Sequence, residues 1–339
     1  MSDAQPTQPT QPTQPWDGRT VAVTGAGGFF GSNLVRGLLE AGATVRALVR
    51  YRSDGGIGAL APLAEHPGLE VHRGDLRDKD SLHPLLDGAD ILYHLGALIS
   101  VPHSFLDPAA YLGVNATGTV NLLGAAREAG TGRIVAVSTS EVYGTARTER
   151  ISEDHPLVAQ SPYAASKIAA EKLCESFHHA YATPVVTVRP FNLYGPGQSS
   201  RAVIPSIARQ IVQNGVVRLG NTDAFRDFNY VDDTVDAMIK IGLAPAEKAV
   251  GRVFNIGSEE SVSIKEVASL LRQLSGRDVV FETDYARIRP HTSEVHRLCA
   301  DTERLRSVIG TWRRTSLEDG LREVLDHESR TDAAVGSFV

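Results

Sequence analysis

Tyr163 and Lys167 stand four residues apart in Ser161-Pro-Tyr-Ala-Ala-Ser-Lys167. Ser161 suits an N-cap and Pro162 the first helical position, so a helix starts here with both side chains on one face. A neighbouring ammonium favours phenolate and lowers the tyrosine pKa. A phenol that ordinarily titrates near about 10 then becomes a proton acceptor at neutral pH. The same pair is also a common accident of helices, so its weight comes from a partner upstream. Arg133 to Ser138 reads as a buried strand running into Thr139-Ser140-Glu141. If the extended backbone continues, Thr139 and Glu141 point the same way. Thr139 would then bond a substrate hydroxyl beside Tyr163, and Glu141 would serve as a base. The bland alternative is that Ser140 or Glu141 caps the next turn.

A second constellation holds phosphate. Thr24-Gly25-Ala-Gly-Gly28-Phe29-Phe30-Gly31 follows a strand and opens a helix. Gly25 permits a tight turn, Gly28 lets backbone approach a pyrophosphate, and Gly31 allows close helix–sheet packing. The loop therefore predicts a dinucleotide cofactor, NAD or NADP. NAD sites usually place an acid at the end of the second strand. Here that position reads Val49-Arg50-Tyr51-Arg52-Ser53. Arg50 or Arg52 fits a 2′-phosphate, which favours NADP; both arginines also fit as solvated loop residues. Asp75 suits the adenine amino group or the cap of the following helix. Leu76 and Leu95, after the third and fourth strands, join Phe29 and Phe30 as expected cofactor contacts.

The elements that must position these groups alternate. Strands are expected at Thr20 to Thr24, Thr44 to Val49, Leu69 to His72, Asp90 to His94, Arg133 to Ser138 and Val185 to Val188. Helical patterns lie between them, including a long one from Ala109 to Ala129. Strand–helix alternation with right-handed crossovers predicts an α/β fold with a doubly wound parallel Rossmann sheet. After Arg189 the pattern changes to helices separated by short strands, and Val253 to Ile256 is expected to return to the main sheet. We divide the chain into a Gln-Pro-Thr leader (1–16), a cofactor-binding Rossmann part (17–190, with 226–258 partly returning to it), a smaller α/β substrate part (191–225 and 259–328) and a flexible tail (329–339). The leader places Pro at every third position, as polyproline II does, and lacks a signal-peptide pattern.

The chain has 339 residues, 34 basic and 40 acidic, for a net charge of −6. A mildly acidic chain is a poor nucleic-acid binder. Its apolar runs fall short of a membrane span. Two cysteines, Cys174 and Cys299, form no disulfide framework and no zinc spacing, which suits a cytoplasmic protein. Asp232-Asp233 looks like a metal pair but reads better as the start of a helix, and His178-His179 lacks a companion ligand. No metal is expected.

Together these motifs resemble the extended short-chain dehydrogenase/reductase family that works on nucleotide sugars, over roughly Gly18 to Leu325. Ser138-Thr-Ser-Glu-Val-Tyr-Gly144, Arg189-Pro-Phe-Asn192, Arg201-Ala-Val-Ile-Pro205, Arg226-Asp-Phe-Asn-Tyr-Val-Asp232 and Arg289-Pro-His-Thr-Ser-Glu-Val295 are similar to the 4,6-dehydratases. The nearest group is that of legionaminic-acid-type pathways, related to GDP-mannose 4,6-dehydratase. The resemblance implies oxidation at C4 by Tyr163 with Thr139, proton abstraction at C5 by Glu141, loss of the 6-hydroxyl as water and reduction at C6. The substrate would be an NDP-hexose, such as an NDP-N-acetylglucosamine, and the product its 4-keto-6-deoxy form. Ser140 stands where glucose-type relatives carry Asp, leaving Glu141 as first candidate to protonate the leaving hydroxyl. Arg226 and Arg289 are expected on the diphosphate, Asn192 on a phosphate or sugar oxygen, and Ser100 with His103 at the sugar. Arg226, Arg289 and Asn192 also fit as surface or interdomain ion-pair and polar residues. The matching Asn115 is structural. Relatives pair through two long helices, here Ala109 to Ala129 and Tyr163 to Tyr181, so a homodimer is implied. UDP-glucuronate decarboxylases and UDP-sugar 4-epimerases share the fold and the C4 oxidation and remain the alternative.

Overall fold

The computed structural model describes residues 15–213, 215–285 and 295–336. Six strands, β1 (Thr20–Thr24), β2 (Thr44–Val49), β3 (Leu69–Arg73), β4 (Ile91–His94), β5 (Arg133–Val137) and β6 (Val185–Pro190), join Val253–Ile256 in one sheet. The spatial order is Val253–Ile256, β6, β5, β4, β1, β2, β3. Every pairing is parallel. The expected return of Val253–Ile256 is thus observed, beside β6.

Apolar side chains cover both faces, as a parallel sheet buried between helices requires. Val21 and Val23 of β1, Tyr93 of β4 and Val135 of β5 enter one core with Leu34, Leu38 and Met238. Ala22, Leu92 and Ile134, one residue out of phase, enter the other with Leu122, Leu123 and Cys174. Such alternation follows from the two-residue strand period. A third core gathers Ile204, Ile207, Val217, Val267, Leu271 and Leu321 in the C-terminal part.

Two expectations are corrected. Trp16, placed in the leader, is 1% exposed and packs against Tyr93 at 6.4 Å, because an indole finds apolar cover beneath the sheet; residues 1–14 lie outside the described residues. The tail from 329 is helical to Gly336, within Leu317–Gly336, and Gln213 hydrogen-bonds Asp332 on it at 3.1 Å. The long helix expected from Ala109 to Ala129 is present, running without interruption from Pro108 to Glu128 with a π-helical stretch at Leu112–Thr117 in its middle. Asn115 lies in that stretch.

Candidate active site

The sheet changes direction between β1 and β4, where open α/β sheets bind ligands beyond their carboxyl ends. Gly25 has φ +70°, and a Cβ there would lie 2.8 Å from the Gly96 amide nitrogen. A Cβ on Gly31 would lie 2.2 Å from the Gly25 carbonyl oxygen. These contacts fold the loop into a cradle that side chains would fill. The helix Phe29–Glu40 starts at Gly28 with no side-chain cap, so amides of its first turn are left for an anion. Phe29 and Phe30 are half-buried there. Leu95 donates its amide to the Thr24 carbonyl (3.3 Å). Leu76 sits against Gly96 and Gly118, and its carbonyl accepts from Asn121 (3.0 Å).

Two adenosine-side residues are engaged with neighbours. Asp75 accepts from the Arg77 guanidinium (2.7 and 3.0 Å) and amide, which holds its carboxyl down at about 2. It closes a local turn rather than capping a helix. Arg52 grips Asp54 (2.8 and 3.1 Å). Arg50 is exposed at the end of β2, close enough to Asp75 for its charge to lower that carboxyl further.

At the end of β5 the backbone departs from the expected course. Thr139 is extended, but Ser140–Tyr143 form a 3-10 turn capped by the Thr139 hydroxyl, which accepts the Glu141 amide at 3.2 Å. Strand alternation therefore does not place Glu141, and Thr139 rather than Ser140 or Glu141 is the cap. Ser140 is buried at 3% exposure. The turn still brings Glu141 near Tyr163: burial chiefly pushes the phenol pKa above its ordinary value, the Thr139 hydrogen bond opposes this, and the Glu141 charge adds to it.

The helix Pro162–Tyr181 starts as expected, with the Ser161 side chain accepting the Ala164 amide (3.1 Å). Tyr163 is 7% and Lys167 6% exposed. Lys167 Nζ donates to the Val137 carbonyl (2.7 Å). Burial pushes its pKa down to about 8, against the pull of Glu171. The expected lowering of the tyrosine pKa by its lysine is not realised, because desolvation of the phenol dominates and the ammonium points at β5.

Asn115, in the π-turn, accepts from the Leu98 amide (2.8 Å) and donates to its carbonyl (2.9 Å) and to Ser166 Oγ (2.9 Å). Ser166 Oγ donates to the Tyr163 carbonyl (2.7 Å), so Asn115 braces the helix that carries Tyr163 and Lys167. Tyr111 meets Tyr163 edge-on at 6.3 Å, and its hydroxyl donates to the Ser100 carbonyl (2.6 Å). The Ser100 side chain accepts the His103 amide at 3.4 Å.

Asn192 opens a short strand whose amide donates to the Asp227 carbonyl (3.0 Å). Its Oδ1 is buried without a hydrogen-bond partner among the described residues. Arg226 is 7% exposed, so it is not a surface residue, and it donates to the Phe225 carbonyl (2.9 Å). Arg289 lies outside the described residues. Asp232 bonds Arg36 (2.7 Å), and Asp233 accepts the Thr315 amide (2.6 Å) and hydroxyl (2.7 Å). Both lie in the first helical turn, but they tie distant segments rather than cap it. His178 bonds the Thr183 carbonyl at 3.1 Å. The buried His94, Glu171 and Arg189 were missed; only the four-residue step from Lys167 to Glu171 hinted at one of them.

The profile of GDP-mannose 4,6 dehydratase matches residues 22–324. The chain belongs to this family. A dTDP-glucose 4,6-dehydratase of Streptomyces griseus is 34% identical over 304 residues, covering 88% of this chain and 90% of that protein. DesIV, the dTDP-glucose 4,6-dehydratase of Streptomyces venezuelae solved with NAD and TYD bound, is 29% identical with a TM-score of 0.82. It covers 93% of this chain and 98% of its own. The UDP-glucuronic acid 4-epimerase of Bacillus cereus, solved with UDP-glucuronic acid and NAD, is 28% identical with a TM-score of 0.85, covering 92% and 99%. The match spans both the cofactor-binding and the C-terminal parts and supports the doubly wound fold.

Proposed function

We propose that this family member is a nucleotide-sugar 4,6-dehydratase that turns an NDP-hexose into its 4-keto-6-deoxy form. The observation that supports this reading is the half-buried pair Thr139 and Glu141 beside the buried Tyr163 phenol, Thr139 by a hydrogen bond and Glu141 within reach of its charge. A nicotinamide cofactor bound on the glycine cradle would accept hydride from C4 and return it to C6, with a proton from solvent restoring C5. Tyr163 takes the 4-hydroxyl proton, oriented by Thr139. The ketone so formed acidifies the C5 proton, which Glu141 removes. Glu141, with Ser140 beside it, then delivers a proton to the departing 6-hydroxyl. Lys167, an ammonium below about pH 8, would supply positive charge on the helix face it shares with the phenol.

Arg226 and Arg289 would bind the diphosphate. The unpartnered Asn192 oxygen would accept from a sugar or nucleotide hydroxyl, and Ser100 would line the sugar pocket. Arg50, the arginine of the β2 loop not gripped by Asp54, favours NADP; both solved relatives above carry NAD. Comparing dissociation constants for the two cofactors tests this directly. The N-terminal part to about 190 would hold the cofactor, and 191–225 with 259–328 the nucleotide sugar. Free, buried Cys174 and Cys299 support a cytoplasmic setting. No described helix is long and apolar enough to cross a membrane.

Incubation with UDP-N-acetylglucosamine, GDP-sugars and UDP-glucuronate, followed by mass spectrometry, separates the readings. Loss of one water supports dehydration. Loss of carbon dioxide means decarboxylation, and unchanged mass with altered retention means epimerisation.

A further inference from the structure

Lys167 is buried yet must carry charge to act on Tyr163. Its surroundings supply little compensation. His94 of β4 is kept neutral, its pKa pushed down to about 3 by burial and by Lys167 itself. Cys174, one turn beyond Glu171, is a thiol pushed up to about 12 by burial. Thr119, Ser138 and Thr187 bring only hydroxyls, and Tyr163 a neutral phenol. All but Tyr163 of these line one small cavity, of about 10 Å³, with Lys167 and Glu171. Among the described residues, Glu171 is the one carboxylate lining it, and Arg189 does not line it.

Arg189 holds that carboxylate from the far side. Its Nε donates to Glu171 Oε1 (3.0 Å) and its Nη2 to Oε2 (2.6 Å). The side chains are 7% and 5% exposed. The other edge of the guanidinium donates to the Tyr143 hydroxyl (2.8 Å) and the Glu153 carbonyl (3.2 Å). Tyr143 closes the turn that carries Glu141. One buried ion pair thus joins the helix of Lys167 to the turn of Glu141.

We propose that Glu171, pinned by Arg189, is a positioning residue whose negative charge keeps Lys167 an ammonium in its buried place. The proposal rests on the reading of Tyr163 and Lys167 as the active pair. A buried cation without an opposite charge gives up its proton. Consistent with this, the Glu171 carboxylate is the strongest influence raising the Lys167 pKa against burial. The pair also makes a prediction about sign. Glu171→Gln removes the anion and leaves the Arg189 cation, so Lys167 loses its proton at lower pH. Arg189→Gln removes the cation, so Lys167 keeps its proton at least as long as in the parent.

The test is the alkaline limb of the kcat–pH profile, the pH at which kcat falls to half its plateau. Glu171→Gln is expected to move it down by about one pH unit or more, while Glu171→Asp, which keeps the charge, leaves its position unchanged. Arg189→Gln is expected to leave it in place or move it up. The proposal is overturned if Glu171→Gln and Glu171→Asp lower kcat alike with the limb unmoved, or if Arg189→Gln moves the limb down. Should Glu171→Gln fail to fold, the direction of the Arg189→Gln shift alone decides. Lys167→Met separates the two levels: retained kcat in that variant overturns the active-pair reading itself, whereas lost kcat with an unmoved limb in Glu171→Gln overturns only the role of Glu171.

Discussion

Glu141 and Tyr163 are the residues on which the proposed chemistry divides. With Glu141 close enough for its charge to bear on the phenol, Glu141→Gln is expected to keep oxidation at C4 and lose the elimination of water. The 4-keto sugar, or reduced cofactor seen by its near-ultraviolet absorbance, should then accumulate; elimination at the parental rate removes Glu141 from the role of base. His94 gives a prediction of a different kind. It sits between Thr24 Oγ1 (2.8 Å) and Thr119 Oγ1 (3.0 Å). Thr119 already donates its hydroxyl proton to the Asn115 carbonyl (2.6 Å), so His94 Nε2 carries the ring proton and Nδ1 accepts from Thr24. The folded state prefers this neutral ring, with a pKa near about 3 against an ordinary 6.5. Between those values the unfolded chain binds the extra proton, so the contribution is complete above pH 6.5 and lost as pH falls toward 3. From pH 7 to pH 4.5 that amounts to about 2–3 kcal/mol. Urea unfolding at the two pH values should show a smaller acid loss in His94→Gln than in the parent; equal losses contradict it.

The elements were legible where local chemistry writes them. Ser161-Pro162 announced the catalytic helix, and the glycine spacing announced the cradle, because caps and close backbone approaches need those residue types wherever they occur. The long helix over Asn115 was legible, but its π-helical stretch was not, since that depends on what backbone and side chain meet across space. The turn at Ser140–Tyr143 was misread for a related reason: a buried strand run shows where apolar cover begins, not where the strand ends. The course of the tail past 329 depends on contacts such as Gln213–Asp332 that no local pattern shows. The ion pair of Glu171 with Arg189 likewise spans 18 residues. At this scale Gly31→Ala is the decisive variant. Its Cβ would sit 2.2 Å from the Gly25 carbonyl oxygen, so loop and helix must part. Cofactor affinity is expected to fall at least about tenfold while circular dichroism keeps the helical signal; parental affinity would show that the loop does not hold the cofactor.

At the scale of the whole molecule two sets of groups are built. The sheet delivers the ends of β1, β4 and β5, and the C-terminal part brings Asn192 and Arg226 beside Asp227. Asp227 is fully buried and accepts from the Ser258 amide (2.7 Å), the Glu259 amide (3.1 Å) and the Ala300 amide (2.9 Å). That carboxylate ties the strand of Arg226 to the loop after Val253–Ile256. On the outside, Leu106 is 81% and Leu112 49% exposed, next to the helices through which a dimer is proposed. Light scattering at micromolar concentration is expected to give twice the chain mass, and a monomer contradicts it. The most direct test of the whole account follows one atom. A substrate sugar bearing deuterium on C4 is turned over in ordinary water, and the product is read by NMR and mass spectrometry. The account predicts a 4-keto-6-deoxy sugar with the deuterium on C6. Deuterium left on C4 or lost to solvent, or a product that keeps its primary alcohol, would contradict it.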